Sequence, residues 1–145
     1  MGTDERAAWS QQRLLAVQRH AEADARRRAT ETGQARRLIA EFAQEARVRG
    51  LRSRALIARG YDGRSRYRTG LRGWYLRSDG VLAVGEDGGF YVLTVPASLR
   101  ARFTGVTVAP EEPRLVIGEG AGDGERIPLR ELLELRLAAG DQWPE

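Results

Sequence analysis

The residues best suited to chemistry in this 145-residue chain lie between Tyr61 and Arg77, where Arg64, Arg66, Arg68, Arg72 and Arg77 interleave with Tyr61, Tyr67, Trp74 and Tyr75. Guanidinium groups bind phosphate bidentately, and aromatic rings stack on unpaired bases. The mixture therefore points to an anionic partner, with RNA or DNA the fullest chemical match. Arg52 and Arg54 extend the same cationic run toward the N-terminus. The expected anion- or nucleic-acid-binding set is thus Arg52, Arg54, Arg64, Arg66, Tyr67, Arg68, Arg72, Tyr75 and Arg77. If 71–77 is a strand, alternation puts Arg72, Trp74 and Leu76 on one face and Tyr75 and Arg77 on the other. That assigns Trp74 to the core and leaves Tyr75 exposed. Arg64, Arg66 and Arg68 surround a turn opened by Asp62-Gly63 and are expected in a mobile basic loop.

Charge is segregated along the chain. All 24 basic residues are arginine, a type that a GC-rich genome also favours, but codon bias does not explain where they fall. Residues 1–46 carry 8 Arg and 7 acids, residues 47–77 carry 10 Arg and only Asp62, and residues 78–145 carry 6 Arg and 12 acids. A block this basic is a footprint for an anionic partner. It is equally the trace left by a basic segment packed on its own acidic final third, since charge runs are commonly solvated faces. An acidic protein surface would satisfy the same arginines.

Other chemistries are poorly supplied. There is no cysteine, which removes disulfides, thiolate nucleophiles and cysteine-ligated metals. His20 is the single histidine and sits in a run that reads as exposed helix, a poor setting for a Ser/His pair. The segment Gly118 to Glu125 lacks the Lys-Ser/Thr of a phosphate loop and the ligand order of an EF-hand, so Glu119, Asp123 and Glu125 read as a flexible acidic loop and not as a metal site. Glu86, Asp87, Glu111 and Glu112 are the candidates for an acid-pair enzyme, and adjacent acids in turns are commonly just solvated. The expectation is a non-enzyme with no cofactor and no bound metal. No signal peptide, myristoylation pattern or membrane-spanning run is visible, so a cytoplasmic protein without a membrane partner is expected.

The elements that must hold the arginines form an α+β arrangement: a helical arm over 1–50 and a β-rich body over 51–145. Glu5 to Arg49 is rich in Ala, Arg, Glu and Gln, with a break expected near Gly33 and an end near Gly50, where Gly50-Leu51 fits a Schellman stop. Residues 18–37 contain no apolar side chain larger than alanine and should project. Trp9, Leu14 and Val17 make a small apolar patch suited to self-association or to a partner helix, while Leu38, Ile39, Phe42, Ala43 and Ala46 make a stronger stripe.

Strands are expected over 54–59, 71–77, 81–84, 90–95, 106–109 and 114–117, as a meander or small barrel, with a tight hairpin at Asp79-Gly80. Phe90 to Val95 is apolar on both alternating faces and should be covered on both sides. Leu129, Leu132, Leu133 and Leu137 define a C-terminal helix after Pro128 that stops at Gly140. Six strands and a closing helix also suit a barrel of the pleckstrin-homology-like kind.

The stretch Arg68-Thr-Gly-Leu-Arg-Gly-Trp-Tyr-Leu-Arg-Ser-Asp-Gly80, followed by Gly89-Phe-Tyr-Val-Leu-Thr-Val-Pro96, resembles uncharacterised small proteins of high-GC actinobacteria. That resemblance implies a bacterial source and transfers no functional residue. No KH, RRM or helix-turn-helix signature accompanies the arginines. The expected function is a non-enzymatic binding module for nucleic acid; the alternative is an interaction adaptor or structural subunit that self-associates or docks on a larger complex through its N-terminal helix.

Overall fold

The computed structural model describes residues 2–118 and 126–142. The acidic residues Glu119, Asp123 and Glu125 lie outside them. Helix α1 runs unbroken from Thr3 to Val48. The break expected at Gly33 does not occur: Gly33 is exposed, a Cβ there would meet nothing within 4 Å, and its cost of about 1 kcal/mol is outweighed by the helix formers on either side. The helix ends as the sequence indicates. Gly50 takes φ 72°, its N–H donates to the Arg47 carbonyl, and the Leu51 N–H reaches back to the Ala46 carbonyl.

Five strands follow in one mixed sheet: β1 Arg54–Gly60, β2 Arg66–Tyr75, β3 Leu82–Gly85, β4 Phe90–Val92 and β5 Thr94–Val95. Their order is β4-β3-β2-β1-β5, with every pair antiparallel except β1 and β5. The run read as one strand over 90–95 therefore divides at Leu93. The Leu93 N–H donates to Val81 beside β3, and its carbonyl accepts from Arg59 on β1, so one stretch of chain joins both edges and curls the meander into a small barrel. Leu93 is fully buried inside that curl with Leu56, Ala83 and Tyr91, against which Leu71, Tyr75 and Val108 pack.

The outer face of the barrel carries the larger core. Trp74, Leu76, Leu82, Val84 and Phe90 pack against Ala35, Ile39, Phe42, Ala43 and Ala46 of α1 and against Leu129, Leu132 and Leu133 of the C-terminal helix. Phe90 faces the helices and Tyr91 the barrel interior, which explains why this strand is apolar on both sides. Trp74 is core as expected, edge-on to Phe42 with ring centroids 6.0 Å apart.

A short helix α2 spans Leu99–Thr104, β6 Val116–Ile117 pairs with β7 Ile127–Pro128, and α3 spans Leu129–Ala139. Two expected strands fare differently from the rest. Residues 106–109 form no strand, although the Val106 N–H donates to the Arg68 carbonyl; residues 114–117 reduce to β6, outside the main sheet. The chain between Arg77 and Val81 also makes a longer link than a two-residue hairpin, with Gly80 donating to the Arg77 carbonyl and Val81 to Asp79 Oδ1. No helix among the described residues is long and apolar enough to cross a membrane.

Before its last turns against the body, α1 is bare. Trp9, Leu14 and Val17 are each more than 60% exposed, and the Arg13 guanidinium lies 5.2 Å from the Trp9 ring centre. The first buried residue of the helix is Ala35. Residues 3–30 thus form an arm, with Glu31 its root, where a carboxylate oxygen accepts from the Leu115 N–H.

Candidate functional site

The basic block does not behave as a loop. Gly60 donates to the Ser65 carbonyl and closes a short turn, inside which Asp62 accepts from the N–H groups of Arg64 and Ser65 and from the Ser65 hydroxyl. Those hydrogen bonds, those of Ser65 foremost, hold the Asp62 carboxyl down at about 2 from its ordinary 3.8, with a smaller pull from the Arg64 charge. Arg66 and Arg68, expected in a mobile loop, instead stand on β2. The strand continues past Gly70 because that glycine, at φ 74°, lets β2 carry extra residues opposite Leu56, where the Thr69 hydroxyl donates to the Leu56 carbonyl.

Between β1 and the β2–β3 turn lies a cleft of about 190 Å³. Arg54, Arg59 and Arg66 reach it from the strands, and Arg77, Ser78 and Gly80 from the turn. Ile57 and Tyr75 complete the lining. Its charge follows from strand register: Arg59 is the direct cross-strand partner of Arg66. Like charges placed opposite one another destabilise a sheet, so this pair is a local conflict of the sort that binding sites retain. At the cleft Arg77 pairs with Asp79 at 2.9 Å. Beneath it, Arg136 of α3 is buried and donates to the carbonyls of Tyr75 and Gly140. Burial first, and the Arg54 charge second, push the Arg136 guanidinium below the ordinary arginine range, against the counter-pull of Asp141.

Tyr75 is half-buried, not fully exposed. Its phenol oxygen accepts from the Ile57 N–H at 2.9 Å, which fixes the ring at the cleft. Tyr67 departs further from expectation. It is 2% exposed inside the barrel, and its hydroxyl accepts from the Ser98 N–H at 2.8 Å, so its ring is unavailable to a base. Inward pointing of alternate β2 residues, together with a chain ready to satisfy its hydroxyl, makes it core.

The cleft therefore gathers Arg54, Arg66, Tyr75 and Arg77 from the expected set and adds Arg59. The others are dispersed. Arg68 donates to the Phe103 carbonyl on the α2 side and Arg72 to the Ser53 carbonyl. Arg64 stays in the turn, and Arg52 lies by Asp141, whose carboxylate accepts from the Arg52 N–H at 2.7 Å. Arg59 escaped notice because it follows the apolar Leu56-Ile57-Ala58. The signal was alternation: with Leu56, Ala58 and Gly60 buried, Arg59 must face outward.

Among the described residues the basic block meets the acidic final third in the ion pair of Arg77 with Asp79 and in the long, exposed Arg52 contact to Asp141 at 3.9 Å. Two other body carboxylates hold hydrogen bonds within the body. Asp87 accepts from the Gly89 N–H and from the Tyr91 hydroxyl at 2.5 Å, and Glu86 accepts from the Ser53 hydroxyl. No group of three potential metal ligands occurs among the described residues. His20 is exposed on the arm. No family model matches the chain, and neither a curated protein nor a solved structure matches it significantly.

Proposed function

We propose that the protein is a non-enzymatic binding module whose arginine cleft, with the basic strand face around it, takes the phosphates of a nucleic acid. The observation that carries this reading is the Arg59–Arg66 cross-strand pair, which has no acid within 4 Å among the described residues. A sheet gains nothing from such a pair by itself, whereas an anion bridging two guanidiniums turns the repulsion into two charge-assisted contacts.

The test is a salt titration of oligonucleotide binding by the wild type and by Arg59→Gln/Arg66→Gln. Losing two phosphate contacts should flatten the log–log salt slope by about 1.4 for single strands and about 1.8 for duplex. The melting temperature should hold or rise as the like-charge pair is relieved. Undiminished binding with an unchanged slope would refute the reading.

One observation favours a second reading. Trp9, Leu14 and Val17 are exposed on an arm that makes no contact with the core, as an adaptor helix would leave them. A monomer at every concentration in sedimentation, together with no loss of any interaction on deleting residues 1–28, would remove it.

A further inference from the structure

Resting on that reading, we infer that the cleft takes a strand end: the terminal phosphomonoester of a nucleic acid and not an internal diester. Size is the first reason. At about 190 Å³ the cleft is smaller than the roughly 300–1,000 Å³ of sites that enclose a whole drug-sized ligand, so it accepts a group and leaves the rest of the molecule outside.

The turn is the second. A Cβ built on Gly80 would lie 3.6 Å from Nε and Nη2 of Arg59, so the turn bounds the cleft beside that arginine. An internal diester continues in both directions, and a strand end continues in one.

The donor set is the third reason. A phosphomonoester carries about −1.5 to −2 charges and three free oxygens, where a diester carries one charge and two free oxygens. Arg59 and Arg66 stand side by side, Arg77 is held in place by Asp79 at the turn, and Ser78 adds a hydroxyl. Tyr75 contributes a directed proton. Its oxygen already accepts from the Ile57 N–H, and among the described residues its own hydroxyl donates to nothing. This donor at the lining of the cleft suits the extra free oxygen of a monoester.

The experiment measures binding of the whole 145-residue chain to one oligonucleotide sequence in four forms: 5′-phosphate, 3′-phosphate, both ends hydroxyl, and the tighter-binding phosphorylated form after phosphatase treatment. Anisotropy at fixed salt should show at least one phosphorylated end binding about tenfold more tightly than the hydroxyl form, with the gain lost after phosphatase. The gap should vanish in Arg59→Gln/Arg66→Gln. It should shrink about three- to tenfold in Tyr75→Phe, which keeps the ring and removes only the hydroxyl. Equal affinity for all four forms, with the double variant weakening each alike, overturns the strand-end assignment and leaves nucleic-acid binding standing. No binding of any form overturns both. A preserved gap in a folded Tyr75→Phe protein and a folded double variant also overturns the assignment.

Discussion

Trp74 fastens the helix to the barrel, and its removal should be the most informative single change to the fold. The side chain is 2% exposed and meets Phe42 of α1 nearly at right angles, 86° between ring planes. The Arg47 guanidinium lies 5.9 Å from its ring centre, and its indole N–H donates to the Leu51 carbonyl at 3.2 Å. Trp74→Ala should therefore cost about 3–5 kcal/mol, as large-to-small changes at filled sites do. Within that, the edge-on ring pair accounts for about 0.5–1.5 kcal/mol beyond area burial, and the indole hydrogen bond for a similar amount. Urea unfolding followed by circular dichroism measures the total, which corresponds to a fall in melting temperature of roughly 10–20 °C. A double-mutant cycle with Phe42→Leu should return a coupling of about 1 kcal/mol. A total loss under about 1 kcal/mol, or additive effects at the two sites, would refute the idea that this contact anchors the helix.

Three further outcomes are expected. Trypsin should cut first at the exposed arginines between Arg6 and Arg28, leaving a body whose melting temperature matches that of the whole chain, because no residue before Ala35 belongs to the core. Gly73→Ala should destabilise by about 1–3 kcal/mol in thermal unfolding, since the new methyl would sit 2.1 Å from the Val84 carbonyl oxygen and 2.7 Å from Gly85 Cα across the sheet. In alkaline absorbance titration one phenol, that of Tyr91, should ionise near pH 12 and be lost from the profile in Tyr91→Phe, since burial, then its bond to Asp87, push it up to about 12 from 10.0; its native state holds the proton more tightly than the unfolded chain does, so this stabilisation is complete below pH 10 and fades as pH rises toward 12.

Local chemistry made the α+β fold legible wherever neighbours in sequence are neighbours in space. Helix-forming composition and the Gly50-Leu51 stop located α1, and the leucine stripe after Pro128 located α3. The double-faced apolar run at Phe90 correctly foretold a strand covered on both sides. What escaped depended on distant partners. Gly70 looks like the end of a strand until Leu56 stands opposite it, and Tyr67 looks like a binding aromatic until Ser98 meets its hydroxyl. The candidate site was half visible for the same reason. Arginine density pointed to the stretch from 47 to 77, but only the β1–β2 register sets Arg59 against Arg66, while Arg68 and Arg72 turn to other carbonyls.

The crossing at Leu93 also bears on how the chain reaches this state and survives it. Hairpins between consecutive strands can form early, because they close short loops. Joining Arg59 and Gly60 to Thr94 and Val95 requires all the intervening strands to be in place. That parallel seam is of high contact order and only two residue pairs long, so it should be the last piece of the sheet to form and the first to part. While it is open, β1 and β5 each present an unpaired backbone edge on which another chain can template. The two hydrogen bonds of Leu93 therefore guard against aggregation as much as they hold the barrel's shape, and a proline at that position would remove the one donated to Val81.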